Sequence, residues 1–379
     1  MKRWIYIAVI MASIVTFGMC KKPFFSSTID PNIKYLVVEG LINSGTDSTI
    51  IHLSRTGKID TYYGNNAIVN GELKATVTVE GDDNKSYPLK ETKNGYYVSA
   101  GLNLNAGRNY RLRIICANGQ VCLSDYEAVK PSPPIDSLGY NFTSDGITIY
   151  ANSHDAANNT RYYRWEYQEE WQFRTAYDWH YISYAPIISV PNPPTYCYAG
   201  DSSSAIVLAS TIKQSQDVAY QAPIVAITGS SEKLSIRYSI LVKQYVLSQK
   251  GYDFWTDLKK NTESLGTIFD AQPSNAQGNV ECISDASQPV VGYVSVGTVQ
   301  SKRIFIDKTD LRGLISQPAF LCPLETVLLK DITPSTPPNT LPIIDLLYDG
   351  PTLIGFTRTP QICADCTVRG MLKKPSFWK

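Results

Sequence analysis

Eight cysteines, three histidines and 34 acidic residues hold most of the reactive chemistry available to this 379-residue chain. Cys363 and Cys366 stand at CxxC spacing. That spacing serves redox chemistry where it opens a helix after a strand, and zinc where a second pair completes a tetrahedral set. Here Thr367-Val-Arg-Gly370 follows it near the chain end, and Cys116/Cys122 is a poor second pair. Structural disulfides are the expected use, and an exported setting permits them. The candidates are Cys116, Cys122, Cys197, Cys322, Cys282, Cys363 and Cys366. Cys116 and Cys122 flank an Asn118-Gly119 hairpin turn that could carry a cross-strand bridge. Spacing does not fix connectivity. The pairing expected is Cys197 with Cys322, and Cys282 with Cys363 or Cys366, with one of the seven left over.

Catalytic chemistry finds less support. His52, His154 and His180 lie far apart, and no HExxH occurs, which argues against a zinc hydrolase. There is no GxSxG elbow, no GxxxxGK[ST] loop and no GxGxxG after a strand. Acidic residues are plentiful, so a glycosidase-type carboxylate pair stays open, but no pair stands out. Glu169 and Glu170 are adjacent on a strand pattern and so point to opposite faces. Asp253 and Asp257, four apart on a helix pattern, mark a solvated face. No catalytic residue, metal site or cofactor is expected. Lys+Arg 35 against Asp+Glu 34 gives a net charge of +1, which carries no footprint for nucleic acid.

The amino terminus carries an address. Lys2 and Arg3 precede an apolar run from Ile5 to Met19, and Cys20 follows. A basic start and a short apolar stretch describe a secretory signal. Cys20 stands where a bacterial lipoprotein signal places its acylated cysteine, although Phe17 and Met19 depart from the usual box. A plain cleaved signal or an uncleaved anchor is the alternative. Two acyl chains hold a protein at a membrane where one is marginal. Residues 1–19 are thus read as the signal and 20–34 as a polar tether. Lys21 and Lys22 follow without an acidic run, which favours a periplasm-facing anchor over a surface-facing one.

The elements that must position these groups are strands. Tyr (25) outnumbers Phe (11), and short alternating runs recur between Gly, Asn, Asp and Ser. Six runs between Tyr35 and Val129 predict an immunoglobulin-like β-sandwich over 35–129, with Tyr110 offering its hydroxyl to the backbone at a corner. Lys130-Pro-Ser-Pro-Pro134 predicts a stiff linker. Residues 135–379 form the second, fibronectin-like β-rich domain. The fold class expected is mainly β, two tandem sandwich-like domains, the second elaborated with one short helix near 249–261 capped by Ser248. Its clearest period-two signal puts Tyr163, Trp165, Tyr167, Trp171 and Phe173 on one face. Arg164, Glu166, Gln168, Glu170 and Gln172 fall on the other. The one-sided alternation reads as core. A turn near Arg174-Thr175-Ala176 would present Tyr177 or Trp179 at a rim, as a flat platform for a carbohydrate.

Several pieces together resemble the domain-of-unknown-function family 4249, outer-membrane or cell-surface lipoproteins of Gram-negative bacteria. They include Leu36-Val-Val-Glu-Gly40 with Leu53-Ser-Arg-Thr56, Tyr162-Tyr-Arg-Trp165-Glu-Tyr167, and Gly251-Tyr-Asp-Phe-Trp255. Gly266-Thr-Ile-Phe269, Val291-Gly292-Tyr293, Lys302-Arg303-Ile-Phe-Ile306 and the ending Lys374-Pro-Ser-Phe377-Trp378 also fit. The family form often has Trp after the cysteine at 197, where this chain has Tyr198. The resemblance implies two β-rich domains, an envelope address and work beside TonB-dependent receptors, and it brings no catalytic residues. The expected function is a non-enzymatic outer-membrane lipoprotein assisting a TonB-dependent receptor in uptake of a carbohydrate or other nutrient. A surface adhesion or structural module, and a secreted hydrolase with an unrecognised carboxylate site, are the alternatives.

Overall fold

A computed structural model describes residues 34–56, 70–184, 186–263, 278–285, 288–311, 321–332 and 342–378. The signal, Cys20, most of the tether, and the 266–269 piece of the resemblance lie outside them. The protein is mainly β, with one α-helix among the described residues.

The first unit is a 12-stranded sheet wrapped around one core. Ser86–Glu91 links its two layers. It pairs with Thr76–Gly81 along its first part and with Tyr96–Ser99 at Lys90 and Glu91. Alternation puts Val77, Val79, Leu112 and Ile114 of one layer against Leu36, Val38, Ile51 and Leu53 of the other. The Tyr110 hydroxyl accepts a 2.9 Å hydrogen bond from the Asn105 amide, the corner contact the sequence predicts.

Three strands of this unit come from far along the chain, beyond the boundary drawn at 130–134. Val280–Cys282 pairs antiparallel with Val121–Ser124. Val290–Val291 and Ser295–Gly297 pair in parallel with the strand Leu36–Asn43. Val280, Val294 and Val296 fill the first core. Such short strands carry no period of their own, and parallel pairing needs a crossover that no local turn signals. The buried side chain of Asn279 stands in for a strand partner: it accepts from Val294 N at 2.8 Å and donates to Val294 O at 3.0 Å. Gly292 completes the junction. Its φ of +141° and its approach to Val38, where an added Cβ would sit 2.1 Å from the carbonyl oxygen, exclude a side chain.

The second unit is a sandwich. Ile135–Phe142, Gly146–Asp155 and Asp217–Thr228 make a three-stranded sheet. It faces a five-stranded sheet of Tyr162–Arg174, Tyr196–Ser202, Val207–Ser210, Arg237–Val246 and Gln300–Asp307. Tyr163, Trp165, Tyr238, Ile240 and Val242 meet Ile147, Ile149, Ile224 and Ile227 between them. The long strand after the 3-10 turn Glu232–Leu234, which Ser231 caps, starts at Arg237. Buried Gln244 ties the linker down: it accepts from Trp165 Nε1 at 3.0 Å and donates to Pro133 O and Ser153 Oγ at 2.8 and 3.0 Å. A further five-stranded sheet gathers Tyr181–Tyr184, Ile187–Ser189, Glu325–Leu328, Ile343–Asp349 and Thr352–Arg358.

The disulfides differ from the expected pairing. Cys122 bonds Cys282, Cys197 bonds Cys366, and Cys322 bonds Cys363, leaving Cys116 buried and free. The hairpin bridge between Cys116 and Cys122 is absent because Cys122 faces Cys282 across the strand pair. Cys366 N donates to Pro194 O at 2.9 Å, which brings the carboxyl-terminal 3-10 turn beside Cys197 and not Cys322. Asp365 caps that second turn, so the two CxxC cysteines serve separate bonds.

Candidate functional site

The outward face of the second sandwich is set by the same alternation that builds its core. With Tyr163, Trp165 and Tyr167 inward, Arg164, Glu166 and Gln168 point out. On the neighbouring strand, Tyr238, Ile240 and Val242 are buried, and Lys243 and Tyr245 point out. Antiparallel register sets Glu166 opposite Lys243 and Arg164 opposite Tyr245. The helix Gln249–Glu263 follows directly, with Ser248 Oγ accepting from Gly251 N at 3.2 Å. Its buried Phe254 holds it down, and the next residue, Trp255, reaches Arg164.

Arg164 is the centre of the arrangement. Its guanidinium lies 4.1 Å from the Trp255 ring centre and 4.6 Å from that of Tyr245, a double cation–π contact. One terminal nitrogen meets Glu166 Oε1 at 2.8 Å. The Tyr245 hydroxyl donates to Glu166 Oε2 at 2.6 Å. Burial, then the Glu166 carboxylate, push the Tyr245 phenol far up, so it remains a donor at neutral pH.

The first unit supplies the opposite wall. Glu39, Leu41, Asp47, Ser48 and Ile50 face Arg164, Lys243, Tyr245 and Trp255 across a cavity of about 450 Å³. A second lobe of about 350 Å³ adds Gln168, Ser202, Ser203 and Ile206. The two lobes share Glu39, Arg164, Glu166, Lys243 and Trp255, so they form one groove. The helix fixes the far lobe: Glu263 Oε1 accepts from Ile206 N at 2.5 Å, and Lys259 Nζ donates to Ile206 O at 2.7 Å. A larger cavity of about 740 Å³ beside the linker is a weaker candidate. Its His154 and Asp136 satisfy each other at 2.8 Å, which raises the imidazole pKa.

The residues singled out from sequence fall elsewhere. Trp179 is only 9% exposed and packs with Ile344 and Ala364. The half-buried Tyr177 donates to Cys322 O at 3.0 Å. Neither forms an exposed platform, because Ile344 of the strand Ile343–Asp349 and Ala364 of the carboxyl-terminal turns pack against them. His52 stacks on Tyr96 and meets Glu39 at 3.0 Å, while His180 is exposed beside Tyr181. Cys116 is buried, and burial pushes its thiol up to about 11. Glu169 does face inward and Glu170 outward. Among the described residues, no group of three His, Cys, Asp or Glu side chains is placed to hold a metal ion. Lys243, Tyr245 and Trp255 were not singled out. The alternation of the 237–246 strand carried the signal for the first two, since its odd positions lie opposite Arg164 and Glu166.

These features define a class: a disulfide-stapled, mainly β protein with a two-signed polar groove between two β units. The chain belongs to the family described as Domain of unknown function (DUF4249), whose model matches residues 22–303. No curated protein matches it. Among solved structures it is similar to a DUF4785 family protein from Legionella pneumophila, at 11% identity and a TM-score of 0.19. That match covers 55% of this chain and 51% of the other. It is also similar to Salmonella alpha-2-macroglobulin, at 10% identity and a TM-score of 0.18, over 88% of this chain and 17% of that one. At these scores neither likeness bears on function.

Proposed function

We propose that this protein is a lipid-anchored, non-enzymatic binding component of the bacterial outer membrane that works beside a TonB-dependent receptor in nutrient uptake. The observation that carries the reading is the groove. It joins two cations, a hydroxyl-rich rim and apolar side chains on rigid strands of two units, as a small-molecule site does. The three disulfides support an exported protein. The basic start, apolar run and Cys20 support the anchor. The anchor leaves the groove on the membrane-tethered molecule, where a ligand can be passed to a receptor.

The test is a cross-linked pull-down of tagged protein from native outer membranes, with Cys20→Ala as control. Near-stoichiometric recovery of one receptor barrel, lost in the control, is expected. Recovery of no barrel from wild-type membranes overturns the uptake role.

A further inference from the structure

We infer that the groove takes a short peptide with free termini, its carboxylate held at Lys243 and its ammonium at the acidic wall. This rests on the reading of the groove as the binding site. Both oxygens of Glu166 are already engaged, one by Arg164 and one by Tyr245. Lys243 stands directly across the strand pair from Glu166. A lysine and a glutamate in that relation ordinarily pair. Here Lys243 makes no ion pair or hydrogen bond among the described residues. It lines both lobes as an unspent positive charge.

The facing wall carries unspent charge of the other sign. Asp47 is exposed and makes no ion pair among the described residues. Glu39 meets only the His52 ring there. A ligand of one sign would leave one wall unsatisfied or repelled. A zwitterion satisfies both, and charge-assisted hydrogen bonds at its two ends are the strong kind.

Two further observations favour a peptide over a sugar. Trp255 and Tyr245 each give one ring face to Arg164, which leaves at most the other face of each for sugar C–H edges. The apolar lining is aliphatic instead: Leu41, Val299 and Ile50, the last 50% exposed. These suit aliphatic side chains between the two charged ends. Lobes of about 450 and 350 Å³ limit the ligand to a few residues.

The experiment titrates the full mature protein in detergent with a pool of aliphatic tripeptides in free, N-acetylated and C-amidated forms. A tetragalacturonate is the sugar-acid control. Free tripeptides are expected to bind, and each capped form to bind roughly tenfold more weakly or worse. Lys243→Gln should erase the preference for a free carboxylate, and Asp47→Asn the preference for a free ammonium. Both side chains lie at the groove surface, so unchanged melting curves confirm that the variants fold. Equal binding of free and capped forms overturns the inference, as does no tripeptide binding at millimolar concentration. Binding of tetragalacturonate alone, lost in Lys243→Gln, also overturns it while retaining the groove as a binding site. The receptor role is judged separately by the pull-down.

Discussion

Glu169 shows how one residue can break a pattern without breaking the fold. It sits among Tyr163, Trp165 and Tyr167 on the inward face and is 3% exposed. A carboxylate there needs partners, because burying a lone charge costs far more than folding can spare. Lys233 Nζ lies 2.6 Å from one oxygen, and the Tyr238 hydroxyl donates to the other at 2.7 Å. Lys233 also lies over the Trp171 ring. Lys233→Ala leaves Glu169 buried with its hydroxyl donor alone, and we expect a loss of roughly 2–4 kcal/mol. The lysine is 26% exposed, so water entering the gap keeps the loss below the full value for a sealed pair. Urea unfolding measures it. Tyr238→Phe should lose about 1.5–3 kcal/mol, the worth of one hydrogen bond to a charged group. An unchanged midpoint in Lys233→Ala would mean that Glu169 is solvated.

At the scale of elements, strand alternation was a sound guide to which residues share a face and a poor guide to what covers that face. The inward set of Tyr163, Trp165, Tyr167 and Phe173 follows the sequence pattern. Trp179 follows a similar alternation, yet its burial depends on Ile344 and Ala364, more than 160 residues later. Nothing within reach of a turn shows that cover. Trp179→Ala should therefore lower stability by about 3–5 kcal/mol, the usual cost of emptying a buried aromatic site. Thermal unfolding of the variant reads it. A melting curve identical to wild type would return Trp179 to the surface and revive the platform. The helix was more legible, since a serine cap and an amphipathic run are local signals. Its end at Glu263 lies two residues past the expected stop near Asn261, and the second of them supplies the carboxylate that holds Ile206.

At the scale of the whole molecule, the two units are interleaved by the chain. Residues 280–282 and 290–297 add strands, apolar side chains and Cys282 to the first unit. A chain ending at residue 134 would lack all of these and leave Cys122 without its partner. We expect such a fragment to show no cooperative unfolding transition, and Cys122 to react with a thiol reagent without denaturant. A fragment that melts cooperatively, near the temperature of the full chain, would show that the first unit is complete without the returning strands. The groove lies where the two units meet: its acidic wall comes from residues 39–50 and its basic wall from residues 164–255.

Period-two alternation, a serine cap and turn residues were enough for the mainly β class, the helix after Ser248 and the tyrosine corner. Each of these depends on contacts within a few residues, where side-chain direction follows from backbone period alone. The same pattern was enough to put Arg164 and Glu166 on an outward face. Which cysteines meet, where the returning strands dock and which charges remain unpaired depend on segments far apart in the chain, 160, 169 and 41 residues for the three disulfides. Local pattern is silent there, because a strand edge, a thiol or an ammonium accepts any partner that packing delivers. Packing delivered Cys282 to Cys122, gave both Glu166 oxygens to Arg164 and Tyr245, and left Lys243 facing the groove.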